Sequence, residues 1–202
     1  MSLSAASLMR LMRRHELRVF TTADILTLTG IEPSAATKAL TRLADEDLVS
    51  RIKKGVWVNG LASGLSPYEA VPYLRAPWPA YVSLYSALAD YGVVAEIPRV
   101  VYGVSPAVPK RYRTSLGDFH IHHLPDRLIW GYEVKRQGSS AYPVADPEKA
   151  FLDLVYLALT PRSPLELPHR REREWPLDKE KLKRYARKFA FAPLTHWLKK
   201  EF

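Results

Sequence analysis

Apolar positions in the first sixty residues recur at the spacing of three short helices and then alternate as in a two-stranded hairpin. The pattern predicts helices over residues 4–15, 22–30 and 33–46 and a hairpin over residues 51–58. We expect the hydroxyl of Thr22 to cap the second helix, because Thr accepts hydrogen bonds from the free N–H groups of a first turn. Three helices followed by a hairpin predict a winged helix-turn-helix.

A stretch rich in Gly and Ser, residues 60–67, separates this segment from a different pattern. We place the domain boundary there, which divides the chain into residues 1–60 and 61–202. Short β-prone runs separated by turn residues follow, at residues 99–104, 119–124, 128–134 and 141–144.

Helices are predicted on either side of these runs. One covers residues 83–92, with Ser83 as its cap, and another opens at Asp146 and continues to about Thr160. Residues 161–176 are rich in Pro and are predicted to be irregular, and a basic helix starts near Asp178 before a short terminal helix. The fold class predicted is therefore α+β: a winged helix-turn-helix, then a mixed domain of short antiparallel strands and helices that ends in a basic helix.

Charge narrows the choice of partner. The 202 residues include 30 Lys and Arg against 21 Asp and Glu, a net charge of +9. The net charge is +3 for residues 1–60, +1 for 61–164 and +5 for 165–202, so the excess lies at the two ends. Such a distribution favours a polyanion, either a nucleic acid or an acidic membrane surface.

Two absences in the composition exclude other classes of protein. The chain has no Cys, which excludes disulfides, thiol nucleophiles and iron–sulfur clusters, and which fits a cytoplasmic protein. No apolar run approaches the roughly 18 residues that cross a bilayer, so we expect no membrane-spanning segment.

The third helix carries the features of a DNA-recognition helix. Ala36, Leu40 and Leu43 recur at core spacing, while the opposite face has short hydroxyls and cations and no acid before Asp45. Such a face can approach bases and phosphates, whereas a carboxylate would be repelled. The alternative is a winged helix that binds only protein. The predicted base-reading residues are Ser34, Thr37, Lys38, Thr41 and Arg42, and the predicted phosphate contacts of the hairpin are Arg51, Lys53 and Lys54.

The basic helix near the C-terminus is amphipathic. An apolar stripe of Leu182, Tyr185, Ala186 and Phe189 opposes a cationic face. That face could be solvated, lie on a membrane or contact phosphates. Because the other charged end of the chain has the pattern of a DNA-binding domain, we include it among the DNA-binding candidates, as Lys183, Arg184, Arg187 and Lys188.

Candidate catalytic groups do not form a convincing set. His120 and His122 share a strand face without a clear third metal ligand, and a polar strand explains them. Asp126, Glu133 and Lys135 match the order of carboxylates and Lys in restriction-type nucleases, but short motifs also match by chance. We therefore predict no catalytic residue, no metal site and no cofactor, with a metal-dependent nuclease as the alternative of the enzyme class.

Two further stretches resemble a known family. Residues 81–92, YVSLYSALADYG, and residues 144–153, VADPEKAFLD, are similar to segments of the AbiEi-type antitoxins of type IV toxin–antitoxin systems. The resemblance covers roughly residues 5–160. It implies a transcriptional repressor that binds inverted repeats in its own promoter and counteracts a nucleotidyltransferase-like toxin. An antitoxin that acts mainly by binding protein is a second possibility, and Pro147 and Glu148 would have structural roles.

Overall fold

The N-terminal part of the computed structural model is a helix-turn-helix with a three-stranded sheet. The structure describes residues 4–168 and 175–202 of the chain. The sheet is antiparallel in the order β1-β3-β2, and its first strand was not predicted. The elements are α1 (Ala5–Arg14), β1 (Val19–Thr21), α2 (Thr22–Thr29), α3 (Pro33–Asp45), β2 (Val49–Lys53) and β3 (Val56–Asn59).

The cap of α2 differs by one residue from the prediction. Thr21, not Thr22, accepts a hydrogen bond from the Asp24 N–H, and the Asp24 carboxylate accepts one from the Thr21 N–H at 2.6 Å. This reciprocal capping box satisfies two backbone donors at once. The Thr22 hydroxyl instead accepts from the indole N–H of Trp57 at 2.9 Å, and so ties the helix to the sheet.

The second part contains a six-stranded sheet with helices around it, which confirms the α+β fold class. The strand order is β6-β7-β5-β4-β9-β8. The strands are β4 (Tyr81–Val82), β5 (Val100–Ser105), β6 (Lys110–Thr114), β7 (Gly117–His123), β8 (Tyr132–Gln137) and β9 (Ser140–Ala145). The helices are α4 (Val71–Arg75), α5 (Leu84–Asp90), α6 (Pro147–Ala158), α7 (Lys179–Phe189) and α8 (Ala192–Glu201), with 3-10 turns at Pro67–Ala70 and Asp126–Leu128.

Pairing within this sheet is mixed, where the sequence suggested antiparallel strands. β5 pairs with β7, and β4 with β9, in parallel, and the other three pairings are antiparallel. β4 is only two residues long and β6 is a polar edge strand, so neither has the apolar alternation from which a strand is predicted. The predicted strand at 128–134 begins as the 3-10 turn, and β8 starts at Tyr132.

The end of the chain follows the prediction where it is described. Asp146 and Asp178 accept hydrogen bonds from the first-turn N–H groups of α6 and α7, so both helices begin where expected. The predicted irregular segment 161–176 lies partly outside the described residues, and its portion 161–168 contains neither helix nor strand.

The three-stranded sheet is covered on both faces. Phe20, Val49 and Trp57 pack against α1, α2 and α3. On the other face, Ile52 and Val58 belong to the same buried cluster as Val71 and Leu74 of the second part. The two parts therefore share a hydrophobic core, and the boundary at residues 60/61 stays a prediction.

A polar contact joins the two parts beside this core. The guanidinium of Arg18, the residue before β1, donates to both carboxylate oxygens of Glu69, at 2.8 and 3.1 Å. It also donates to the carbonyls of Ser63 and Gly64 and to the Ser139 hydroxyl. One side chain thus holds the 60–67 stretch and the β8–β9 turn against the N-terminal part.

Candidate nucleic-acid interface

Helix α3 separates its buried and exposed residues as the sequence predicted. Pro33 occupies the first turn, where its missing N–H leaves no hydrogen bond unmade. One face is buried and consists of Ala36, Ala39, Leu40 and Leu43. The opposite face is exposed and brings together the five predicted base-reading residues, Ser34, Thr37, Lys38, Thr41 and Arg42.

Two threonine hydroxyls on this face already use their protons. Thr37 donates to the Pro33 carbonyl and Thr41 to the Thr37 carbonyl, each at 2.9 Å. Their oxygens remain able to accept, and their methyl groups suit contact with a thymine methyl. The long donors on this face are Lys38 and Arg42, whose side chains can reach guanine or phosphate.

The wing differs from the prediction at one of its three cations. Arg51 and Lys54 are exposed, and Gly55 completes the turn with φ of +74°. Lys53 instead faces the second part, and its ammonium donates to the Leu74 carbonyl at 3.1 Å. Burial, together with the charges of Arg75 and Lys110, lowers the pKa of Lys53. Its ammonium is used between the two parts rather than at the tip of the wing.

Helix α1 adds cations that the sequence analysis did not assign. Leu8 and Met12 are buried, and Arg10, Arg13 and Arg14 lie exposed. The four-residue spacing of the two buried positions could have revealed this basic face. The N-terminal part therefore presents cations from α1 as well as from α3 and the wing.

Helix α7 has the predicted amphipathic arrangement. Leu182, Ala186 and Phe189 are buried. The four predicted cations, Lys183, Arg184, Arg187 and Lys188, are all exposed. Some of them have partners within the protein: Lys183 bonds Glu180 at 2.9 Å, and the Lys188 ammonium lies 4.8 Å from the Trp130 ring centre.

The segment at 144–153 builds the interior rather than an exposed site. Lys149 and Asp153, one helical turn apart on α6, form an ion pair with fully buried side chains. Burial lowers the pKa of Lys149 and raises that of Asp153, against their mutual attraction. Ser83, expected to cap α5, instead donates its hydroxyl proton to Asp153 at 2.9 Å.

Glu148 also makes structural contacts. Its carboxylate accepts from the backbone N–H of Asp178 at 3.0 Å and pairs with Lys181 at 2.7 Å. These bonds outweigh the effect of burial and lower the pKa of Glu148. The residue therefore joins α6 to the start of α7.

The three residues of the nuclease alternative have different surroundings. The Lys135 ammonium pairs with Asp90 at 2.8 Å, Glu133 is exposed on β8, and Asp126 begins a 3-10 turn. His120 and His122 lie on one face of β7 beside the ring of Tyr102. Within residues 4–168 and 175–202, no group of three His, Cys, Asp or Glu side chains is arranged to hold a metal ion.

Residues 7–60, which run from within α1 to the end of β3 and so include the exposed face of α3, match a family described as "Transcriptional regulator, AbiEi antitoxin". The N-terminal part is an AbiEi-type domain. The match ends at Gly60, and none of the curated proteins matches the chain. No helix in the described part of the chain is long and apolar enough to cross a membrane.

Proposed function

We propose that the protein is a DNA-binding transcriptional repressor in which α3 of the AbiEi-type domain reads the major groove. The observation that carries this proposal is the exposed face of α3, which has no acid from Ser34 to Arg42 and has two long cations among short hydroxyls. The exposed Arg51 and Lys54 of the wing would bind phosphates beside it. A repressor of this kind acts on the chromosome, in the cytoplasm.

The family to which residues 7–60 belong points to the biological role. We infer that the DNA target is a pair of inverted repeats in the protein's own promoter. The protein would serve as the antitoxin of a pair and counteract a nucleotidyltransferase-like toxin. Expression of the neighbouring gene alone should stop growth, and co-expression of this protein should restore it, which would test this second role.

The first experiment removes the long donors of α3. Lys38→Ala combined with Arg42→Ala should weaken binding to a promoter fragment by about 1–3 kcal/mol for each contact to a base. The melting temperature should barely change, because both side chains are exposed. Fluorescence anisotropy measures the affinity. Unchanged affinity in the folded double variant would refute the role of α3, and Arg113→Ala, exposed on β6, is the matched control.

In the same assay, variants of α7 test whether this helix makes a second, sequence-independent contact with DNA. Each phosphate contact on duplex DNA adds about 0.9 to the slope of log affinity against log salt. Changing Lys183, Arg184, Arg187 and Lys188 to Gln should lower that slope by up to about 3 to 4 and leave the preference for the promoter sequence intact. An unchanged slope would exclude α7 from the DNA contact.

A further inference from the structure

A cationic recess lies away from α3 and the wing, at the β6 edge of the six-stranded sheet. Its volume is about 410 Å³, and the loop that follows α6 forms one of its walls. Two cationic side chains, Arg111 from β6 and Arg162 from the loop, line it. Lys110 also borders it, but its ammonium lies 5.3 Å from the ring centre of Tyr112, on the other face of β6. Among the described residues, no Asp or Glu lines the recess, so the cations have no internal counter-ion there.

The strand register explains why histidines meet these cations. Arg111 pairs with His120 across β6 and β7, and side chains of paired residues lie on the same face of a sheet. His122 follows on that face, because side chains alternate along a strand. Asp118, also on this face, pairs in register with Arg113 and does not line the recess.

His122 supplies an observation of a different kind. Its Nε2 atom is buried, and no hydrogen-bond partner for it exists among the described residues. Buried polar atoms in folded proteins nearly always have a partner, which is a water molecule, an ion or a ligand where no protein group supplies it. Burial, and then the charges of His120 and Arg111, lower the pKa of His122 to about 4. The ring of His122 is therefore neutral at physiological pH, and a nearby anion would favour its protonation.

We propose that this recess binds a phosphate monoester, the group carried by a free nucleotide or by the phosphorylated end of a nucleic-acid chain. Arg111 and Arg162 would contact the phosphate oxygens, since guanidinium groups match their geometry. The ring of His122, which lines the recess, would add positive charge beside the phosphate once protonated. The volume accommodates a nucleotide-sized ligand. This site extends the protein beyond promoter recognition and does not depend on it.

The experiment is calorimetric titration of the full chain with four probes. These are AMP, adenosine, a 5′-phosphorylated trinucleotide and the same trinucleotide with a 5′-hydroxyl. Binding of both phosphorylated probes supports the site for the shared group. Binding of AMP alone assigns it to free nucleotides, and binding of the phosphorylated trinucleotide alone assigns it to chain ends. Adenosine binding as tightly as AMP, or no binding of either phosphorylated probe, would overturn the proposal.

Variants locate the binding within the molecule. Arg111→Gln should weaken the phosphorylated probes about ten-fold, as expected for the loss of one charge-assisted contact. Arg113→Gln, two residues along the same strand and outside the recess, is the matched control and should bind as the wild type does. Arg162→Gln, in the loop after α6, should also weaken the binding of the phosphorylated probes. Equal affinities in Arg111→Gln and Arg113→Gln would overturn the proposal, and an unchanged melting temperature shows that each variant is folded.

Discussion

The molecule contains two ion pairs that differ in their position and in what they connect. Lys149 and Asp153 lie four residues apart on α6, with side chains 0% exposed. Arg18 and Glu69 lie fifty-one residues apart in different parts of the chain, with side chains 14% and 6% exposed. The first pair lies within α6, and the second joins the AbiEi-type domain to the second part of the chain.

The side chains around the first pair form hydrogen bonds with one another. The Lys149 ammonium donates to the Tyr81 hydroxyl at 2.9 Å, and the Tyr81 and Ser83 hydroxyls donate to Asp153. The rings of Trp130 and Phe189 lie about 5 Å from the same ammonium. Through these bonds the pair connects α6 to β4 and to the start of α5.

The second pair is surrounded by loop groups. Arg18 uses its remaining N–H groups on two loop carbonyls and the Ser139 hydroxyl, and Glu69 also accepts from the Ser140 hydroxyl and the Ser66 N–H. Its loss would release residues 60–67 and the β8–β9 turn while each hydrophobic cluster stays packed. An ion pair can therefore stabilise the interior of one part, as Lys149 and Asp153 do, or hold two parts of the chain together, as Arg18 and Glu69 do.

The largest effect is expected from breaking the inner pair. Asp153→Ala leaves the Lys149 ammonium buried without its counter-ion, and should lower the free energy of unfolding by about 3–5 kcal/mol. Urea denaturation followed by tryptophan fluorescence measures it. The combined change of Lys149→Met and Asp153→Leu removes both charges and should recover most of the loss. A single variant as stable as the wild type would show that the pair is not buried as described.

A smaller effect is expected at the joint between the parts. Arg18→Met leaves the Glu69 carboxylate with fewer donors, and should lower the free energy of unfolding by about 1–3 kcal/mol. Limited proteolysis within residues 60–67 should become faster. Arg14→Met, on the exposed side of α1, is the matched control and should change stability by no more than about 0.5 kcal/mol. Equal cleavage rates in the two variants would contradict the proposed role of Arg18.

The smallest effect concerns acid. Burial would raise the pKa of Glu69, but hydrogen bonds from Arg18 and Ser140 outweigh it, so the pKa lies below the ordinary value of 4.5. The stability that this ionised carboxylate contributes is therefore complete above pH 4.5 and is lost as the pH falls through its lowered pKa. The difference in stability between wild type and Glu69→Gln should shrink in that range. If the difference in stability does not change with pH, the contribution of Glu69 does not depend on the ionisation of its carboxyl group.

The three helices of the N-terminal part could be predicted from the sequence alone. Apolar residues at helical spacing, Pro33 at a first turn and Gly30 at a helix end specify α1 to α3 to within one or two residues. The exposed face of α3 follows from the same spacing, because in a helix the identity of the buried side fixes the opposite side. The α6 cap at Asp146 was likewise readable from neighbouring residues alone.

Tertiary structure decided every feature that depends on residues distant in the chain. The hydroxyl of Ser83 bonds Asp153 rather than its own helix, and the Lys53 ammonium bonds Leu74 rather than extending from the wing. Both predictions assumed that a polar side chain serves its nearest neighbours, whereas buried carboxylates and carbonyls elsewhere compete for the same donors. The parallel pairing of β5 and β7 and the meeting of Arg111 with His120 have the same origin, because local periodicity specifies a strand but not the strand beside it.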